Sequence, residues 1–334
     1  MNDLILSTGW TLHGLRAILL ENRFLRLVVL PEAGGKIWQI THKPLDAPLL
    51  WNNPRILPAK QAIHAHYDDV WSGGWDELFP NDEAGNLLGE YLPDHGELWT
   101  GSWAAEPFQD ADSVGIHLRF VTPISSFLVE RTIRLPKENA QFEIRYRFTN
   151  RNSETHPFLW KLHPAFAVSA QHRIDFPAMT AVREPAFPGS LAGAPLDFAW
   201  PYAELGDKLL DLRQVPDASS RAVHFFYGTE MSAGWCALTN RANGLAAALR
   251  FDREIFTSCW LFASHGGWRN LNVAVLEPAT GYPFQIQSMI DARRARTLAP
   301  GECLETSVLF STQEGMKSVG GVDADGRILP GDES

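Results

Sequence analysis

Apolar and polar residues alternate along most of this chain with a period of two. In QFEIRYRFTN (141–150), Phe142, Ile144, Tyr146 and Phe148 alternate with Glu143, Arg145 and Arg147, the pattern of a strand with one buried face. FLVERTIRL (127–135) precedes it across the turn PKENA, and GIHLRFVT (115–122) precedes both, so three consecutive antiparallel strands are expected. Near the start, RAILLENRFLRLVVL (16–30) reads as a hairpin turning at Glu21-Asn22-Arg23, and PEAGGKIWQITHK continues the meander. GLAAALRFD, TSCWLFAS, NVAVLEP, FQIQSMI and ETSVLFSTQ add strands late in the chain. No long segment holds an apolar stripe at helical spacing, and short helical turns are expected only around 202–212. The pattern predicts an all-β fold, a large antiparallel β-sandwich forming one domain over 1–320, followed by a polar, Gly-rich tail over 321–334 that frays. Two stretches, about 52–110 and 177–220, lack the strand pattern and are rich in turn residues. Long irregular loops in an otherwise regular β protein often carry function.

Composition narrows the class. Hydrophobic residues make up 45% and charged residues 20% of 334, enough for a substantial core without staples. The formal net charge is −10 with no basic cluster, which argues against nucleic acid and against an anionic membrane surface. The three cysteines, Cys236, Cys259 and Cys303, are widely spaced, as expected of reduced thiols in a cytoplasmic protein. The N-terminal segment lacks the pattern of a signal peptide, and no stretch reaches transmembrane length.

Titratable groups interrupt the apolar runs at three places. In PDHGELW, His95 precedes Gly96, a residue able to turn the chain so that the imidazole leaves the backbone path. In WKLHPAF, His163 sits among Trp160, Leu162 and Phe166, where desolvation favours the neutral ring. In LEPATGYP, Glu277 closes an apolar strand and Pro278 is expected to halt its ladder. A carboxylate at such a core rim should have a raised pKa suited to a general base. Read singly, each also fits a plain structural role. WSGGWDELFPND adds Trp75, Asp76 and Glu77, able to grip a sugar by stacking and by hydrogen bonds to hydroxyls. HAHYDD places His64, His66 and Asp68 at alternate positions, but no second ligand cluster accompanies them, so no metal is expected. No Gly-rich phosphate loop and no GxSxG occurs.

Together these segments resemble the galactose mutarotase-like superfamily, which includes the aldose 1-epimerases. The resemblance rests on PxHG…W at 93–99, His-Pro at 163–164, Glu-Pro followed by Gly at 277–281, and the closing LAPGECLETSVLF. It implies a supersandwich and a cofactor-independent interconversion of sugar anomers through ring opening at C1 and O5. It further implies Glu277 as the base, His163 as the acid and His95 as the group that orients the ring. Trp75, Asp76, Glu77, Lys161 and Trp260 are the expected substrate contacts, with a small-molecule sugar as sole ligand and a monomer or homodimer as the assembly. Where the family's sugar epimerases often carry an arginine, this chain reads GGWDELFP. Asp76 and Glu77 there favour an unphosphorylated sugar, whereas Lys161 and Arg269 leave a phosphate open. Two other functions fit the same residues. One is a non-catalytic carbohydrate-binding protein; the other is a glycoside hydrolase or lyase using Glu277 with Asp76 or Glu77.

Overall fold

The computed structural model describes residues 4–332. The fold is an all-β antiparallel sandwich, and the chain divides into two compact units. The first comprises Met1–Pro164 with Thr280–Val308, and the second Ala165–Ala279 with Leu309–Ser334.

In the first unit one sheet carries, in spatial order, strands 5–12, 15–21, 25–30, 36–42, 75–78 and the first residues of 161–167, every pair antiparallel. The facing sheet holds the expected three-strand meander, 113–121, 127–136 and 141–150, with a further strand, 104–109, from a stretch that showed no strand pattern. Register follows the alternation: Val129 opposes Phe148, Arg131 opposes Tyr146 and Ile133 opposes Ile144. The apolar members point inward, and fully burying a phenylalanine such as Phe142 or Phe148 contributes about 1.5–3 kcal/mol. Phe79 from the first sheet meets Phe127 and Phe148 of the second, each at 4.9 Å between ring centroids. The early hairpin turns where expected. Buried Asn22 holds the turn by accepting the Phe24 and Leu25 N–H groups at 2.8 and 2.7 Å, while its amide donates to Pro136 and Asn139 carbonyls.

In the second unit one sheet orders strands 272–279, 258–265, 222–229, 180–183 and 197–199, and the other orders 172–175, 235–240 and 245–251. Strand 272–279 does not stop at Pro278: Pro278 opposes Cys259 and Ala279 opposes Ser258. A proline removes one N–H but keeps an extended φ, so a strand whose neighbours still pair survives it.

Three further expectations need correction. FQIQSMI contains a helix, Ile286–Asp291, not a strand. Ile286 and Met289 are buried at i, i+3 spacing, so the apparent alternation of Phe284, Ile286 and Ser288 was too short to decide the period. The 202–212 region is a hairpin, Tyr202–Leu205 against Lys208–Asp211, turned by Gly206 at φ +61. Gly206-Asp207 as a two-residue loop between short runs is the signal for it. Within the expected tail, Val319–Val322 pairs with Ile328–Pro330, and Ile328 packs with Trp235, Ala246 and Met316; one buried isoleucine suffices to dock a polar segment. Among the described residues no helix is long and apolar enough to cross a membrane.

The second unit also buries two histidines, His224 and His265, with ring centroids 5.8 Å apart. Burial, with His265 adding a smaller push, lowers the pKa of His224 to about 4. The unfolded chain takes up that proton near pH 6.5, so stability is full above that pH and falls as pH drops towards 4. At pH 4.5 the expected loss from this one ring is about 2–3 kcal/mol. Urea denaturation of wild type and His224→Leu at pH 7 and 4.5 checks it, the variant having the shallower pH dependence.

Candidate active site

Strands 75–78 and 161–167 pair so that His163 lies directly opposite Asp76 and Leu162 opposite Glu77. Neighbouring residues on a strand face opposite sides. Asp76 and His163 therefore share one face, while Trp75 and Glu77 turn into the core between the sheets of the first unit. There the Trp75 ring meets Phe142 at 6.4 Å. Glu77, 1% exposed, accepts the Tyr146 hydroxyl at 2.6 Å and the Trp160 indole N–H at 3.1 Å, with the Arg131 guanidinium 3.8 Å away. Burial pushes the Glu77 carboxyl up despite Arg131 and these hydrogen bonds. Trp75 and Glu77 were expected to touch a sugar; both are interior side chains.

On the other face a buried polar network surrounds His163. Lys36 donates to Asp76 Oδ2 at 2.9 Å, to the Gly73 carbonyl at 2.7 Å and to Ser72 Oγ at 3.3 Å. The Tyr67 hydroxyl donates to the same Asp76 oxygen at 2.8 Å and lies 3.1 Å from His163 Nδ1. Tyr67 opens a one-turn helix, 67–70, and its backbone N–H is held by Asp94 Oδ2 at 2.8 Å. The other oxygen of Asp94 holds His95 Nδ1 at 2.8 Å, and Asp82 lies 3.2 Å from His95 Nε2. Asp82 also pairs with Lys161 at 2.7 Å. The Tyr67 ring stacks flat on His95, with centroids 4.2 Å apart and planes at 12°, and stands edge-on to His163. The two imidazoles are 6.4 Å apart between centroids; Trp71 stands edge-on to His163 and Trp99 edge-on to Tyr67. A recess of about 10 Å³ beside Lys36, Tyr67, Trp71 and Trp99 has room for one water.

Local backbone makes this possible. His95 and Gly96 both adopt left-handed conformations, φ +58 and +74, and the Phe79 carbonyl accepts the Glu97 N–H at 2.7 Å. A Cβ on Gly96 would lie 2.1 Å from that carbonyl oxygen, so only glycine fits after His95.

Electrostatics separate the two rings. For His95, burial opposes the charged form, but Asp82 and Asp94 outweigh it and the pKa is raised. For His163, burial and then the cations Lys161, His95 and Lys36 push the pKa well below its ordinary value. The two imidazoles are thus shifted in opposite directions inside one network, His95 towards its charged form and His163 towards its neutral form.

In the second unit Glu277 is 1% exposed and lies directly across from Trp260, which in turn opposes Tyr227. The Trp260 indole N–H donates to Ser258 Oγ at 3.1 Å, and its ring stands edge-on to Tyr227 at 4.8 Å. The Tyr227 hydroxyl donates to buried Glu184, whose other oxygen accepts the Ala186 N–H at 2.6 Å. His64 and His66 are exposed, and no group of three or more His, Cys, Asp or Glu placed to hold a metal ion occurs among the described residues.

Of the residues singled out in the sequence, the structure places His95, His163, Asp76 and Lys161 in one network of the first unit; Lys36, Tyr67, Asp82 and Asp94 were given no role there. Asp94 and Asp82 sit in the short polar breaks PDHG and FPND, and Tyr67 in HAHYDD, so a search of those breaks for every polar residue would have found them.

No family model matches the sequence. Solved structures do resemble the fold. A candidate aldose 1-epimerase from Klebsiella pneumoniae subsp. pneumoniae superposes with a TM-score of 0.72 at 13% identity, covering 93% of this chain and 83% of its own. A galactose mutarotase-like protein from Clostridium acetobutylicum gives 0.67 at 12%, covering 94% and 100%. A galactose mutarotase related enzyme from Lactobacillus acidophilus gives 0.61 at 14%, covering 89% and 97%. The chain has the galactose mutarotase-like fold.

The raised pKa of His95 depends on Asp82 and Asp94 against burial. Its contribution to stability is full below about pH 6.5 and is lost as pH rises through the raised value. Asp82→Asn removes one counter-charge, and an NMR titration should then find the His95 pKa lower than in wild type. An unchanged value would mean that Asp82 does not hold the charge.

Proposed function

We propose that this protein is a cofactor-independent isomerase that interconverts the anomers of an unphosphorylated aldose by acid–base ring opening. Opening a pyranose requires a proton to leave the anomeric hydroxyl and another to reach the ring oxygen, and closure on the other face reverses both transfers. No net proton, electron or group is exchanged. The chemistry needs a proton acceptor and a proton donor available together near neutral pH, each worth roughly 10²–10⁴-fold.

The observation that carries the reading is the pair His95 and His163, 6.4 Å apart, with Asp82 and Asp94 favouring the charged form of His95 while burial and neighbouring cations favour the neutral form of His163. The likeness to mutarotase-like folds supports it at the level of architecture. Glu277 is the further proton acceptor implied by the resemblance, and its buried place beside Trp260 suits a carboxylate kept out of bulk water. An uncharged sugar fits the charge balance of the network, since Lys36 pairs with Asp76 and Lys161 and His95 with Asp82 and Asp94. No cation there is left over for a phosphate. The glycoside hydrolase reading loses one of its carboxylates, because Glu77 is committed to Tyr146 and Trp160 in the core.

Glu277→Gln and His163→Ala should each slow anomer interconversion at least about a hundredfold, with circular dichroism unchanged. Polarimetry on an accepted aldose measures it. Wild-type rates in both variants would overturn the assignment, and sugar binding by calorimetry without any faster mutarotation would favour a binding protein instead.

A further inference from the structure

The hydrogen bonds of Tyr67 decide where the proton of His163 sits. Asp76 Oδ2 receives the ammonium of Lys36 at 2.9 Å and is an acceptor only, so at 2.8 Å the Tyr67 oxygen must spend its single proton there. At 3.1 Å from His163 Nδ1, that oxygen then has only lone pairs to offer. A hydrogen bond results if Nδ1 carries a proton; two facing acceptors result if it does not. The opposite arrangement, with Tyr67 donating to Nδ1, would set its oxygen lone pairs against the Asp76 carboxylate, a buried repulsion with no compensation. A second proton on His163 would add positive charge to a buried ring near Lys36, Lys161 and cationic His95.

We infer that Tyr67, held by the Lys36–Asp76 pair, fixes His163 as the neutral Nδ1–H tautomer, so that its Nε2 presents a lone pair. A ring in that tautomer has an acceptor, not a donor, at Nε2. The resemblance implies the acid's part for His163; an Nδ1–H tautomer fits the acceptor's part instead. Tyr67 is a positioning residue, acting on substrate only through His163. This allocation of roles rests on the mutarotase reading, whereas the tautomer does not.

The test is long-range ¹H–¹⁵N correlation spectroscopy of protein labelled in histidine, with no sugar present and His163 assigned by its loss in His163→Asn. Wild type at pH 7 should have His163 protonated at Nδ1 with Nε2 unprotonated. In Tyr67→Phe, which keeps the ring that stacks on His95, the proton should move wholly or partly to Nε2. A wild-type His163 protonated at Nε2, or on both nitrogens, would overturn the inference, as would an unchanged Nδ1–H pattern in folded Tyr67→Phe. Should that variant fail to fold, the wild-type spectrum decides alone. Anomer exchange is measured separately, so a failed tautomer assignment and a failed mutarotase reading give different results.

Discussion

Lys36 and Asp76 form an ion pair on facing strands, with side chains 7% and 0% exposed, and the chemistry of the first unit is built outward from it. Burying two charges costs several kcal/mol per ion, and their attraction repays this only when the remaining hydrogen bonds are also made. The Gly73 carbonyl and Ser72 complete the ammonium and Tyr67 adds a second donor to Asp76 Oδ2, while buried Asp76 Oδ1 has no hydrogen-bond partner among the described residues. Once the pair exists, Asp76 is committed as an acceptor, Tyr67 as its donor, and His163 as donor to Tyr67. A proton at one ring nitrogen thus follows from a lysine that touches neither histidine's ring directly.

A strand residue, His163, and a turn residue, His95, bring together two imidazoles whose surroundings differ in sign. His95 lies between Asp82 and Asp94, while His163 faces lysines and a cationic neighbour. Because the rings are 6.4 Å apart, charge on His95 itself helps to keep His163 neutral. Tyr67 couples them physically, stacked on one and hydrogen-bonded to the other. Asp94 closes the circuit by holding both the Tyr67 backbone and the His95 ring.

Most of the β architecture was legible because period-two patterning survives wherever one face of a strand is buried, as in 141–150. The site was legible only in part. Strand 75–78 is buried on both faces, so Trp75, Asp76, Glu77 and Leu78 give no alternation to read, and the sequence could not tell that Asp76 and Glu77 point opposite ways. Histidines drew attention to HAHYDD, yet its tyrosine is the residue that reaches His163. Nothing in the sequence near Lys36 marks it, because its ion-pair partner lies forty residues on. The helix at 286–291 escaped because six residues are too few for a 3.6 period to stand out from a period of two.

An enzyme that interconverts anomers must speed the opening and closing of a sugar ring. Two-dimensional exchange NMR on equilibrated unphosphorylated aldoses reads it directly, since cross-peaks between anomeric protons report the interconversion rate without a coupled enzyme. The expected result is faster exchange than in buffer for at least one aldose, returning to the buffer rate with His163→Ala. Exchange at the buffer rate for every aldose with the folded wild-type protein would contradict it.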